Sequence, residues 1–477
     1  MENQLKNFIA AFILYLISPG VYAQVKVWTL KECLNQAIEK NVLLNQDKLG
    51  NEISKINFEQ SKANQYPNLN LNDGHNLNFG YSLDPYTYQY TNRNFSTNNL
   101  SLNSSVTLFN GYLLVNTVKQ NKLIYDAGTL DVEKAKNDIV LNVLAGYMQL
   151  LMDYEAINAA QAQVEATSTQ VEQTKKFVDF GKSAELNLLQ IQSQLASDKL
   201  TKVNAESQLQ LDKITLLQLM NTPVSNDFDI ERQELKDLFP EIPISTEEID
   251  KISEGFLPQI KSTQLKTNAA EFSLKMAKSA WFPKLTMTGA VRTGYSSLKN
   301  NITEYTTYQQ STIGYLNNNP ADPVIGMVPF TIINNQKDAV SDQLKNNFNQ
   351  VIGFSLTVPI FNNFQAKNNV AIAKINLENA RLNEQQTKND LRKSIETAYA
   401  NQVSAGKKWT AIEEQMTLEK RTYSDMEKKF TFGALDATTF LIEKNNYNRV
   451  TMALIQAKYD YVLKTKMVNF YLGKPLL

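Results

Sequence analysis

The residue types that carry most enzyme chemistry are almost missing from this chain: among 477 residues there is one histidine, His75, and one cysteine, Cys33. A histidine-based nucleophile relay has only His75 to use, and a multi-histidine metal site has no second ligand. His75 falls in a segment of strand-like alternation, where it reads as a lumen or interface residue rather than a catalyst. Cys33 lies in a helical pattern and, alone, allows no intrachain disulfide in an exported chain; it reads as a small buried residue. Glycine is scarce inside the helical segments, and no phosphate-cradling loop is found. The expectation is therefore no enzyme, no catalytic residue, no metal site and no cofactor. The 48 basic and 48 acidic residues cancel, with no Lys/Arg run, which excludes a polyanion surface and so nucleic acid as a partner.

The elements that carry the remaining polar residues are set by a repeat. Phe109-Asn110 matches Phe361-Asn362, Phe180-Gly181 matches Phe432-Gly433, Tyr147 matches Tyr399 and Pro223 matches Pro475, all at an offset of 252. Upstream, Tyr66-Pro67 matches Phe282-Pro283 and Leu69 matches Leu285 at an offset of 216, so the second half gains 36 residues between these markers. Each half reads as helix, two strands, very long helix and shorter helix. The helices are expected at 30–65, 113–178 and 184–220, then at 247–280, 366–430 and 436–472. No proline interrupts 86–222 or 360–474, as continuous helix requires.

The resulting division is residues 1–23 as a secretory signal, 24–228 as the first repeat with a β-hairpin at 68–109, 229–246 as a linker, and 247–477 as the second repeat with a β-hairpin at 284–361. The signal rests on Lys6, the apolar run Phe8 to Ile17 and Val21-Tyr22-Ala23, with cleavage after Ala23. Ten apolar residues are too few to span a membrane, and Gln24 rather than Cys follows, so no lipid anchor is indicated.

Val143, Leu150, Ile157, Val164, Val171 and Val178 keep strict seven-residue spacing, and their equivalents are Ile395, Gln402, Trp409, Met416, Tyr423 and Phe430. A strict heptad implies supercoiling against a neighbour. Leu188, Leu195, Leu209 and Leu216 keep the same period in the following helix, so Phe180-Gly181-Lys182 marks the tip of an antiparallel coiled-coil hairpin. The strand segments have a period of two. Leu69, Leu71 and Leu77 share one face in the first, Leu100, Leu102 and Val106 in the second, and Ile352, Phe354 and Leu356 alternate likewise. A strand with lipid outside and water inside must alternate in this way, and the aromatics around the second pair, including Trp281, Phe282 and Tyr295, suit a membrane interface. The Asn-rich stretch 300–350 is expected to form long outward loops. Four strands cannot close a barrel, so chains must combine, and the residues themselves do not choose between two and three copies.

The duplicated plan, the strand endings SSVTLFNG (Ser104 to Gly111) and SLTVPIFNN (Ser355 to Asn363), and the tip glycines Gly181 and Gly433 together resemble the TolC-type outer-membrane efflux proteins over essentially the whole mature chain. That resemblance implies a mainly α fold with membrane β: a long coiled-coil α-barrel, with four strands per chain contributing to a trimeric twelve-stranded β-barrel. It implies a homotrimer in outer-membrane lipid whose helical tunnel lies in the periplasm. The partners implied are a periplasmic adaptor and an inner-membrane pump, of the tripartite efflux or type I secretion kind. Phe180, Gly181, Lys182, Phe432 and Gly433 would contact the adaptor. The gate would lie just beyond, among Glu185, Asn187, Asp436, Thr439 and Glu443. The family often places Asp six residues after each tip glycine, where this chain has Asn187 and Thr439. Asp436, Glu185 or Glu443, with Lys182 nearby, would be the substitutes, and in a threefold ring of Asp436 like charges would raise its pKa and favour cation capture. The competing reading is a secreted coiled-coil structural protein or adhesin, and the cargo is not legible.

Overall fold

The computed structural model describes residues 27–224, 227–232 and 245–475. The signal segment 1–23 and most of the linker 229–246 lie outside the described residues. The first repeat runs β1 (Val27–Trp28), α1 (Leu30–Lys40), α2 (Val42–Ala63), β2 (Asn68–Asn78), β3 (Ser82–Leu83), β4 (Tyr90–Thr91), β5 (Phe95–Asn110), α3 (Leu113–Asp179) and α4 (Glu185–Leu219). After β6 (Asp229–Ile230), which pairs in parallel with β1, come α5 (Thr246–Phe256), α6 (Pro258–Lys278), β7 (Lys284–Ser296), β8 (Asn300–Tyr315), β9 (Pro323–Lys337), α7 (Val340–Asn346), β10 (Asn349–Thr357), α8 (Gln365–Thr431) and α9 (Ala437–Tyr471).

The two halves use the same local devices. Thr29 and Ser245 cap α1 and α5 with capping boxes closed by Glu32 and Glu248, each pair 216 residues apart. The helix expected over 30–65 breaks at Asn41, whose side chain accepts from the Leu44 N–H at 2.9 Å; the one expected over 247–280 breaks at Leu257, before Pro258. Asparagine as an N-cap and proline at the first helical position each begin a new helix, so both breaks were written in residue type. The strand-to-helix junctions also match. Gly111-Tyr112 and Asn363-Phe364 are all left-handed, and the Phe109–Tyr112 and Phe361–Phe364 rings both meet edge to face at 5.5 Å. A Cβ on Gly111 would lie 2.7 Å from the Phe282 Cβ, which only glycine avoids.

By contact the chain forms two compact units, one of the described residues up to Ser54, within Ile124–Thr267 and from Ala380 on, the other of Lys55–Leu123 and Asn268–Asn379. The first unit is helical, and its largest core joins Cys33, Val143, Tyr147, Leu150, Leu216 and Met220. Its α8/α9 hairpin is zipped by aromatic pairs. Phe430 stacks on Phe440 at 4.5 Å, Tyr423 on Tyr447 at 4.7 Å and Trp409 on Tyr461 at 5.8 Å. These are three of the heptad positions singled out in the second repeat.

The second unit holds a four-stranded antiparallel sheet in the order β10-β7-β5-β2. Its register puts Leu71, Leu102 and Val291 in one row and Ile352 beside Gly289 in the next, so one face is leucine, isoleucine and phenylalanine. The opposite face carries Asn70, Asn72, Asn99, Ser101, Asn103 and Arg292. Leu69, Leu71, Ile352, Phe354 and Leu356 are exposed. His75 pairs with Asn98 on the leucine face, beyond Asp73. Among the described residues no helix is long and apolar enough to cross a membrane.

The stretch expected to be long loops is different. β8 and β9 pair over their full lengths as a separate two-stranded ribbon, and α7 follows. Seven Asn and Gln residues distributed over these strands, read as loop composition, masked β-branched and aromatic alternation.

Candidate functional site

Both coiled-coil tips are built by one motif. At the end of α3 the Gly181 N–H donates to Val178 O at 2.9 Å and the Lys182 N–H to Phe177 O at 2.8 Å, with Gly181 at φ 68°. At the end of α8 the Gly433 N–H donates to Phe430 O at 2.9 Å and the Ala434 N–H to Lys429 O at 2.8 Å, with Gly433 at φ 73°. This double bond around a left-handed residue is the Schellman stop, and its geometry explains a glycine at each tip. No atom lies near either glycine's missing Cβ, so φ and not crowding selects the residue. Each stop leaves the preceding phenylalanine in solvent: Phe180 is 75% exposed and Phe432 85%. Among the described residues no side chain covers either ring, so both hairpin tips present a large aromatic group. Lys182 is exposed beside them.

The candidate gate residues begin the two return helices, which start differently. The N-cap of α4 is Ala184, with no side-chain bond, and Glu185 is exposed in its first turn; Asn187 donates to Ser183 Oγ at 3.1 Å. The N-cap of α9 is Asp436. Its carboxylate accepts from the Thr439 N–H at 2.9 Å and from the Thr439 hydroxyl at 2.7 Å. These bonds hold the Asp436 carboxyl below the usual carboxylate range, which opposes any rise that a ring of like charges would cause. Asp436 and Thr439 are thus brought together as a cap. Glu443, two turns on, lies beside Glu419 of α8, whose carboxyl is pushed up by burial first and by the Glu443 charge and hydrogen bond second.

Above the tips lies a cluster that the residue pattern had not singled out. Lys444 and Asp198, each 1% exposed, face one another with Nζ to Oδ2 at 3.6 Å. Asp198 also accepts from Gln163 at 2.6 Å, from Gln194 at 2.7 Å and from the Thr167 hydroxyl; Lys444 donates to Gln170 Oε1 at 3.1 Å and to Thr167. Gln170 continues to Tyr423 and Glu427 of α8 at 3.3 and 3.4 Å. One polar network therefore joins α3, α4, α8 and α9, across both repeats. Burial pulls the Lys444 ammonium down and the Asp198 carboxylate opposes that. The available signal was heptad phase: Asp198 is seven residues after buried Ile191, and Lys444 seven after buried Ala437, so each charge sits where an apolar core residue is due.

Comparisons with known proteins identify the family and the fold. The family model described as outer membrane efflux protein matches residues 33–222 and 257–474. Among solved structures the chain is similar to CusC, studied for transmembrane channel formation, with TM-score 0.75 and 16% identity over 94% of this chain and 92% of that one. It is similar to the outer membrane channel CmeC of Campylobacter jejuni, with TM-score 0.72 and 18% identity over 93% and 85%. It resembles the outer membrane protein VceC of Vibrio cholerae at TM-score 0.73, 14% identity and 94% and 97% coverage. At these identities the likeness shows the fold, and it is the mainly α fold with membrane β expected above. Toxin and drug export protein A of Aggregatibacter actinomycetemcomitans is 22% identical over 452 residues, 90% of this chain and 83% of that protein. With both repeats inside the matched family model, the chain belongs to the outer membrane efflux protein family, and its place is in the outer membrane as an efflux channel.

Proposed function

We propose that three copies close one channel, and that it is a passive conduit between a periplasmic adaptor and the cell exterior, serving an inner-membrane pump of the tripartite efflux or type I secretion kind. The observation that carries the reading is the sheet's order. In β10-β7-β5-β2 every pairing is antiparallel, and the strand count is even, so the free edge β2 runs antiparallel to the free edge β10 of a second copy. Alternation then continues across each seam and the ring closes with no bare edge, as a lipid-embedded sheet requires. Three copies supply twelve strands, with the leucine face to lipid and the Asn/Ser/Arg face to the lumen.

In this reading Phe180, Gly181, Lys182, Phe432 and Gly433 are the docking tips, and the constriction lies just inside them. Glu443 with Glu419, rather than Asp436, is the carboxylate pair poised to meet ions, because Asp436 is committed to its helix cap. The test is photo-cross-linking in whole cells from Phe180 and Phe432, with Tyr305 on the β8/β9 ribbon as comparison. Adducts to the adaptor from the two tips alone support the assignment; adaptor adducts from the ribbon alone contradict it.

A further inference from the structure

The β8/β9 ribbon differs from the sheet it springs from. The four-stranded sheet has one apolar and one polar face. The ribbon carries large exposed apolar side chains on both faces, set among Thr, Asn and Gln: the register places Tyr308, Met327 and Ile333 on one side and Tyr305, Val328 and Phe330 on the other. Over 300–315 and 323–337 the only charged residues are Glu304 and Lys337. Both long edges are unpaired among the described residues. A two-stranded ribbon of about 50 Å is marginal by itself, and bare apolar edges invite a further strand.

Its base, by contrast, is fixed. Ser296, at the end of β7, is buried and donates from its hydroxyl to buried Asp84 at 2.6 Å and from its N–H to buried Gln343 at 2.9 Å. Gln343 donates onward to Asp338 O at 3.1 Å, and the Asp338 N–H donates to Lys299 O at 3.1 Å. Both feet of the ribbon are thus tied to the sheet, which fixes where it starts and ends.

We propose that the ribbon is a second subunit interface, in which each copy packs one face against the preceding copy and the other face against the next, forming a β collar continuous with the barrel. This rests on the trimer reading above. A ring gives every copy two neighbours, which matches exposed apolar side chains on both faces; a lipid surface would cover one face and leave the other in water. Low charge removes like-charge repulsion between identical copies. Continuity is covalent, since the ribbon leaves β7 and returns through α7 to β10, the strand at the subunit seam.

The experiment uses the full chain in outer membranes with paired cysteines on opposite ribbon faces, Tyr305→Cys with Ile333→Cys and Phe330→Cys with Met327→Cys. Within one chain such pairs point apart and cannot bridge. A second scan pairs Leu71→Cys with Ile352→Cys or Phe354→Cys across the β2/β10 seam. Mild oxidation is expected to give covalent ladders up to three chains from both sets. A ladder from the seam with ribbon pairs staying monomeric overturns the collar. No ladder from either set overturns the trimer reading and the collar with it. For variants that assemble poorly, single cysteines at Met327 and Phe330 are probed with a water-soluble maleimide in intact membranes. Labelling at least tenfold slower than in the denatured chain, and unchanged on exchange of lipid for detergent, supports the collar. Full-rate labelling, or labelling restored by detergent, overturns it in favour of a bare or lipid-covered ribbon.

Discussion

Lys444 of α9 and Asp198 of α4 form a buried ion pair between the two sequence repeats, Nζ to Oδ2 at 3.6 Å, with every other partner of either group also a side chain of the helical unit. An ion pair in such a place contributes little net stability over apolar packing, but removing one partner strands the other charge. Lys444→Ala is expected to lower the stability of the purified channel by about 3–5 kcal/mol, and Asp198→Leu with Lys444→Met to recover most of that loss. Thermal unfolding of the single and double variants checks it; a double-variant loss equal to the sum of the single losses would mean that the pair is not coupled.

A second buried carboxylate predicts a pH effect. Burial of Asp153 first, and the neighbouring Asp212 second, push its carboxyl up to about 7, with Gln149 opposing at 3.1 Å. A folded pKa above the unfolded one favours the protonated form, so the stabilisation is complete below about pH 4 and lost as pH rises through about 7. Asp153→Asn should therefore match the parent near pH 4 and exceed its stability at pH 8 by on the order of 2 to 4 kcal/mol. Melting temperatures across that range decide; a constant difference at all pH values would contradict the assignment.

The tips give a test of backbone conformation. Gly181→Ala or Gly433→Ala places a side chain at positive φ and should cost about 1–2 kcal/mol locally, read as faster hydrogen exchange at the start of α4 or α9. Gly255→Ala, inside helix α5 with open space around it, should instead stabilise by up to about 1 kcal/mol. Protection unchanged at the tips would contradict the Schellman account.

Asp436 separates two roles. As a cap it is replaceable by Asn and not by Ala, so Asp436→Ala destabilises the start of α9. As a member of a cation-binding ring it is replaceable by neither. Single-channel conductance titrated with divalent ions distinguishes them: the cap account expects Asp436→Asn to keep the parent's response, and a response lost in Asp436→Asn restores the ring.

What could be read from residue order was mostly what repeats. The glycine tips, heptad positions such as Trp409, Tyr423 and Phe430, and the alternation of Leu100, Leu102 and Val106 recur with a fixed period, and a period survives without knowledge of neighbours. The breaks at Asn41 and Leu257 were equally local but were hidden by apolar periodicity running through them. The β8/β9 ribbon was obscured because Asn and Gln are as common in these strands as in loops. The Lys444–Asp198 pair was not legible as a pair, since 246 residues separate its members and nothing in sequence couples them. Only the anomaly of a charge at each heptad core position pointed that way.

The central claim, an efflux channel closed by several copies of four strands, is tested most directly by reconstituting the full-length purified protein in planar lipid bilayers. The account expects a detergent-resistant trimer that gives discrete, uniform conductance steps, raised by charge reversal at Glu443. A protein that extracts from cells without detergent, or one that inserts no conducting unit at any voltage, would contradict it.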